Sequence, residues 1–208
     1  MDIVQLSEKL NQRCQEKLPG KQAQQKLLAR PHQPFSLSNT VEHAIPAAIL
    51  ILLYNDHNDI QFILTERTHE VQYHKGQIAF PGGAWEEGEK LSETALRETH
   101  EEIGINPDQV RITARLTPLF VAVTGFMIHP FIGFLRFRSE PKPHPSEVQN
   151  VFSVSLTDLL DPENLKEEVR SIRGYSVDVP YFDLRGYKVW GATAMILAEF
   201  KACLEDVL

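Results

Sequence analysis

A chain of 208 residues, 42% of them hydrophobic, can bury one core of ordinary domain size with an appendage, and is too short for a second full domain. Its formal net charge of −7 excludes broad binding to nucleic acid or to an anionic membrane surface, since both require a basic face. Cys14 and Cys203 lie far apart with no CxxC pair, and no apolar run approaches membrane-spanning length, so neither a disulfide framework, a thiolate metal site nor a membrane protein is indicated.

Ile3, Leu6, Leu10 and Cys14 recur at helical spacing, and Pro19-Gly20 supplies a stop, which predicts an amphipathic helix over 1–18. A second short helix is expected over 21–30, and Pro31 and Pro34 then force an extended linker to about Asn39. Residues 1–40 are therefore expected to be a helical extension and linker, mobile and outside the chemistry, with one domain over 41–208. The first thirty residues are polar and lack an apolar signal core, so a reducing, cytoplasmic setting is the expectation. The run Ala44 to Tyr54 reads as a fully buried strand, and the polar turn at 55–59 returns the chain into Ile60 to Glu66 as a hairpin.

The most informative stretch runs from Phe80 to Ile105. Over Ser92 to Ile103 a helix would place Glu98, Glu101 and Glu102 at i, i+3 and i+4 on one face, with Leu91, Ala95, Thr99 and Ile103 on the packing face. Three like charges so placed weaken the helix unless a cation neutralises them, and oxygen-only ligands suit Mg²⁺ or Mn²⁺ better than zinc. Before the helix, Pro81 stiffens the backbone while Gly82, Gly83 and Gly88 permit close approach and sharp bends. Such a loop can aim carbonyls at a metal and amides at a phosphate. Gly104 is the natural C-terminal stop.

Further on, strands are expected over 110–116, 117–123 and 127–138, with Pro130 marking an edge or bulge, and the prolines at 141, 143 and 145 stiffen a loop that leads to Glu147. A strand over 148–154, a short helix over 156–160, four short strands between 169 and 190 and a closing helix over 193–207 complete the pattern. Ile196, Leu197, Phe200, Leu204 and Val207 form the buried face of that last helix. Alternating strands with two principal helices fit the α/β class, as an α/β/α sandwich around a mixed sheet.

Gly83, five residues, Glu89, seven residues and then Arg97-Glu98-Thr99-His100-Glu101-Glu102-Ile103-Gly104-Ile105 resemble the Nudix box, G-x5-E-x7-R-E-U-x-E-E-x-G-U, with Thr99 where an aliphatic residue is usual. The resemblance implies the Nudix fold and metal-dependent hydrolysis of a pyrophosphate linked to a nucleoside. It implies that Glu98, Glu102 and Glu101, with the Gly83 carbonyl, hold the ions. It places Glu101, Glu98 and Arg97 in the catalytic set, with either glutamate as proton acceptor. Glu89 is implied to brace the loop against the helix through Arg97, with Gly104 closing the motif. An acidic residue of the later loop often joins such sites, which makes Glu147 a candidate.

Leu64, Thr65, Arg67, Gly76 and Phe80 to Gly83 are similar to a second signature, that of the coenzyme A pyrophosphatase branch of the same family, and the run Val189 to Ala194 resembles its C-terminal signature. Gln72 stands where that branch has a second arginine, so a fixed cation is missing there and His74 or Lys75 is left to substitute. The branch implies Arg67, Gly82 and Lys75 as substrate contacts, and coenzyme A or an acyl-coenzyme A as the small-molecule nucleotide substrate. ADP-ribose, NADH and dinucleoside polyphosphates remain alternatives, as does a noncatalytic nucleotide-sensing module, against which the intact glutamates speak. A homodimer is compatible with the sequence.

Overall fold

The computed structural model describes residues 1–33, 39–57, 59–68, 76–137 and 139–208. Helical spacing at the start produces α1 (Ile3–Arg13), opened by a capping box in which the Asp2 carboxylate accepts from the Gln5 amide at 2.8 Å. The Pro19-Gly20 break is followed by α2 (Gly20–Gln24) and by β1 (Arg30–Pro31). The apolar run forms β2 (Ile45–Asp56), and β3 (Asp59–Arg67) returns antiparallel with Asp56 opposite Asp59. Two short strands, β4 (Ile78–Ala79) and β5 (Gly82–Ala84), lead into α3 (Leu91–Ile103), which ends where Gly104 takes φ +70° and donates its N–H to the His100 carbonyl.

Beyond α3 come β6 (Val110–Arg115), β7 (Leu119–Val121), β8 (Phe126–Leu135) and β9 (Val148–Ser155). The short helix α4 (Leu156–Leu160) precedes β10 (Leu165–Ile172), β11 (Tyr175–Leu184) and β12 (Tyr187–Trp190), and α5 (Gly191–Glu205) closes the fold.

Among the described residues the main sheet runs β4-β3-β2-β8-β6, with β5 on β2, β7 on β8 and β9 on β3. β2 and β8 pair in parallel from Ile45 opposite Phe126 to Leu53 opposite Phe134, whereas the other pairings are antiparallel, so the sheet is mixed. Side chains alternate across it. Ala48, Leu50, Leu52 and Ile63 meet Ala95 and Ile103 of α3 on one face; Ile51, Leu53, Phe62 and Leu64 meet Leu197, Phe200 and Leu204 of α5 on the other. Phe62 and Phe200 meet edge to face at 6.3 Å. The layers are therefore α/β/α, as the pattern of elements predicts. No helix among the described residues is long and apolar enough to cross a membrane.

Three expectations are corrected. Pro130 marks neither an edge nor a bulge: it sits inside β8, at the joint where β8 changes partner from β7 to β6, and its carbonyl accepts from Leu116 N–H at 2.9 Å. A residue that turns no N–H into that gap removes no ladder bond, which is why proline is tolerated there. Second, the strands between 165 and 190 form a separate sheet, β1-β11-β10 with β12 on β11, and β11 runs unbroken through Pro180. Third, α1 and the turn that follows α2 are packed: Leu6, Leu10 and Leu27 belong to the core beneath α5, so the segment expected to be mobile is held by apolar burial. Residues 34–38 of the expected linker lie outside the described residues.

Candidate functional site

β5 lies against β2 with Gly82 opposite Ile49 and Gly83 opposite Ala48, which presses the Phe80-Pro81-Gly82-Gly83 bend onto the middle of the sheet. Only glycine fits. A Cβ on Gly82, whose φ is +148°, would lie 2.3 Å from the Ala48 carbonyl oxygen, and one on Gly83 would lie 2.5 Å from the Glu98 carboxyl carbon. The Gly82 N–H donates to Glu102 Oε2 at 3.2 Å. Glu98 and Glu102, one turn apart on α3, thus bracket the glycine pair, each against a different residue of it.

Arg97 ties the rest of the motif together and spends its whole donor set within the protein. Nε and Nη2 hold the two oxygens of Glu89 at 3.1 and 3.0 Å; Nη1 reaches Glu98 at 2.9 Å and Glu101 at 3.0 Å; Nη2 also donates to the Ala84 carbonyl at 3.1 Å. These contacts equal the five N–H groups a guanidinium carries. Glu89 accepts in addition from the Thr94 hydroxyl at 2.7 Å and the Glu86 N–H at 2.9 Å. Its carboxyl is held at about 2, by the Arg97 hydrogen bond first and by Thr94 and Glu86 after it, and the Arg97 guanidinium is pushed above its ordinary value by the same pairing.

Glu102 is in the opposite condition. It is 2% exposed, and beside the Gly82 N–H its partner is Arg67 Nη1 at 3.4 Å, a long contact. Burial pushes its carboxyl up to about 8; Arg67 and the Gly82 N–H oppose the shift, and the charges of Glu98 and Glu147 add to it. Glu98 is also pushed up by burial, against Arg97, with Glu101 and Glu147 adding their repulsion. Glu101, about half exposed, is turned to Arg97. Glu147 arrives on a loop fastened to the C-terminal end of α3, where Lys142 N–H donates to the Ile103 carbonyl at 2.7 Å and His144 N–H to that of Glu102 at 2.8 Å. The Glu147 carbonyl accepts from Thr68 N–H at the end of β3.

The chemistry of this set fits a hard divalent cation. A buried and a part-buried carboxyl group that repel each other have, among the described residues, fewer donors than their four oxygens can use, with a third acid close enough to be felt, and a cation would satisfy all of them. Among the described residues no three acidic, histidine or cysteine side chains close into a finished ligand set. Glu98, Glu102, Gly82, Gly83 and Arg67 are brought together; Glu101 stands aside on Arg97; Lys75, with Gln72 and His74, lies outside the described residues. Motif spacing misses Thr94 and the Ala84 carbonyl, although Thr94 one helical turn before Arg97 is a readable signal.

The NUDIX domain model matches residues 44–174. The mitochondrial Nudix hydrolase 15 of Arabidopsis thaliana is 39% identical over 159 residues, 73% of this chain and 55% of that relative. The peroxisomal coenzyme A diphosphatase ndx-8 of Caenorhabditis elegans is 32% identical over 118 residues, 55% of this chain and 50% of that one. The chain thus spans about half the length of each of these relatives. Among solved structures, the Nudix hydrolase RenU of M. smegmatis shares 16% identity across 79% of this chain and 88% of its own, with a TM-score of 0.53, a likeness of fold alone.

Proposed function

This chain belongs to the Nudix family, and from that premise we propose that it hydrolyses the pyrophosphate of a nucleoside diphosphate derivative, with coenzyme A or an acyl-coenzyme A as substrate. The products are 3′,5′-ADP and a 4′-phosphopantetheine. The observation that carries the reading is the pair Glu98 and Glu102, part-buried and buried against Gly83 and Gly82, with their charge incompletely met among the described residues. The coenzyme A assignment draws on the partial second signature through Arg67 and Phe80 to Gly83, on the run Val189 to Ala194, and on the similarity to a relative named a coenzyme A diphosphatase.

Glu98 and Glu102, with Glu101 and the Gly83 carbonyl, would hold Mg²⁺ or Mn²⁺, with Glu147 as a candidate to join them. When bound, the ion neutralises phosphate oxygens and acidifies water for in-line attack. The chain's own residues do the rest. Gly82 and Gly83 let the main chain approach a phosphate without side-chain obstruction. Arg97, with every donor engaged, acts as a positioning residue that fixes the Glu98 carboxylate and the loop through Glu89. Glu101 or Glu98 receives the proton lost by the attacking water. Arg67, at the end of β3, trades its long contact with Glu102 for a phosphate oxygen, and Lys75 adds a second cation. The setting proposed is cytoplasmic, with residues 1–40 as appendage to the 41–208 domain and a small nucleotide as partner; sedimentation tests the homodimer.

The deciding experiment measures release of 3′,5′-ADP from coenzyme A, and of AMP from 3′-dephospho-coenzyme A, in Mg²⁺ or Mn²⁺. A kcat/KM at least about tenfold higher for coenzyme A is expected, the discrimination that one charge-assisted contact to the 3′-phosphate supplies. Equal rates, or faster turnover of ADP-ribose or NADH, overturn the coenzyme A assignment and leave the hydrolase reading standing. No turnover of any of these substrates overturns both.

A further inference from the structure

The two cysteines, at opposite ends of the sequence, meet in the fold. Cys14 caps the C-terminus of α1 and Cys203 lies in the last turn of α5; both are free thiols, and Cys14 packs against the cluster in which Cys203 is fully buried. An ion pair and a hydrogen bond beside them fix α1 against the C-terminal end of α5. Arg13 Nε pairs with Asp206 at 2.7 Å, and Lys9 Nζ donates to the Val207 carbonyl at 2.8 Å. Next to the Arg13–Asp206 pair the two thiols lie close enough for each to shift the ionisation of the other.

The pair is asymmetric in a way that matters for oxidation. Cys203 is closed off in the core, whereas Cys14 is half-buried and lines a surface cleft of about 370 Å³ with Asn11, Gln15, Thr113, Ala114 and Arg115. Thr113, another residue of that cleft, has a buried hydroxyl with no hydrogen-bond partner among the described residues. A hydrogen bond with Cys203, against burial and helped by the charge of Arg13, favours the Cys14 thiolate, and the same hydrogen bond, then burial, push the Cys203 thiol up.

We propose that Cys14 and Cys203 form a reversible intramolecular disulfide under peroxide, which clamps α1 to α5. The Cys14 thiolate attacks one peroxide oxygen, the O–O bond breaks, and hydroxide leaves as a sulfenic acid forms. The Cys203 sulfur then attacks the Cys14 sulfur, the S–O bond breaks, and the departing hydroxide takes the Cys203 proton as water. Two thiols lose two electrons and two protons in all, and one peroxide becomes two waters. The clamp closes a loop spanning nearly the whole chain, the case in which cross-linking restricts the unfolded ensemble most. It acts on the same segment that Leu6, Leu10 and Leu27 already anchor.

The full chain, reduced and freed of reductant, is titrated with hydrogen peroxide in slight molar excess. Expected are loss of two hydrogens from the intact mass, disappearance of both titratable thiols, a peptide pair joined through Cys14 and Cys203, a rise in Tm of about 5 °C or more, and reversal by dithiothreitol. Cys14→Ser and Cys203→Ser each abolish the mass loss and the Tm rise; because Cys14 is half-buried, the first keeps the test open if the second fails to fold. Oxygen addition to Cys14 with Cys203 still titratable, disulfide-linked dimers, or two unreacted thiols overturn the proposal. So does a disulfide that leaves Tm unchanged or lower, since the clamp would then not exist.

Discussion

Two glutamates sit on helices that cover opposite faces of one sheet, and both are buried, yet the fold treats them in opposite ways. Glu199 of α5 is fully buried and accepts four hydrogen bonds: from Gly20 N–H at 3.1 Å, the Gln24 side-chain amide at 2.8 Å, Thr117 N–H at 3.2 Å and the Thr117 hydroxyl at 2.6 Å. Among the described residues Glu102 of α3 has one backbone donor and one distant guanidinium, and burial raises its carboxyl to about 8. A buried carboxylate whose oxygens are filled by donors fastens pieces of chain together and has nothing left for a ligand. One that is short of donors carries a standing electrostatic cost that a bound cation would relieve.

The contrast breaks most sharply at Glu102 itself. Glu102→Gln keeps the shape and removes the charge, and turnover in Mg²⁺ or Mn²⁺ should fall about 10³-fold or more, some 4 kcal/mol on the barrier. Tm should stay within a few degrees of the parent. Near-normal turnover, or collapse of the fold, would remove the distinction between the two residues.

Glu199→Ala should give the reverse pattern. Four donors from α2, the β6–β7 connection and a side chain of α2 lose their acceptor together, a loss of about 3–5 kcal/mol read as a Tm roughly 10 °C lower. The kcat of the folded fraction should change less than about twofold. A stable variant with damaged kcat would place Glu199 in the chemistry after all.

Arg97→Lys tests the boundary between the two behaviours, because Arg97 serves structure through Glu89 and the site through Glu98. A lysine supplies three donors around a point charge in place of the fork, so a loss of about 1–2 kcal/mol in stability and a roughly tenfold fall in kcat/KM are expected together. Thermal melts and initial rates on the same preparation check both, and a change in one without the other assigns Arg97 to a single role.

The smallest effect is one of pH. Glu89 is held at about 2, below its ordinary 4.5, by Arg97 and then by Thr94 and Glu86. A carboxyl depressed in the folded state contributes stability that is fully present above pH 4.5 and is lost as pH falls toward 2. Glu89→Gln should therefore lower Tm at neutral pH and flatten its fall across that window. Curves of Tm against pH that run parallel for parent and variant would deny Glu89 the pairing.

The α3 side of this comparison was legible in the sequence because its signals are local. Gly82, Gly83, Glu89, Arg97, Glu98 and Glu102 fall within one loop and one helix, where spacing determines which side chains can meet. The α5 side was not. Glu199 follows Ile196 by one turn and precedes Cys203 by another, which puts a charge on the buried face, a legible anomaly; its partners Gly20, Gln24 and Thr117 come from segments no periodicity connects to it. Pro130 failed as an edge marker for a related reason. Proline reports a missing N–H, and whether that N–H was wanted depends on which strands lie alongside. The same holds for Arg67, whose residue type suggests a phosphate and whose neighbour in the fold is Glu102.

The parallel seam between β2 and β8 has a kinetic consequence. Residues 45–53 can pair early with β3 and β5 but must wait for residues 126–134 to gain their parallel partner, and α3 lies in the stretch that crosses between them. Closing so wide a span is entropically slow, and the surface on which α3 docks is incomplete until it happens. During synthesis the acidic helix therefore rests for a time on β2 and β5 without β8 alongside them. Hydrolytic competence should arise late, in a single step with closure of the seam, and pulse-labelling during refolding should find α3 protected no earlier than β8.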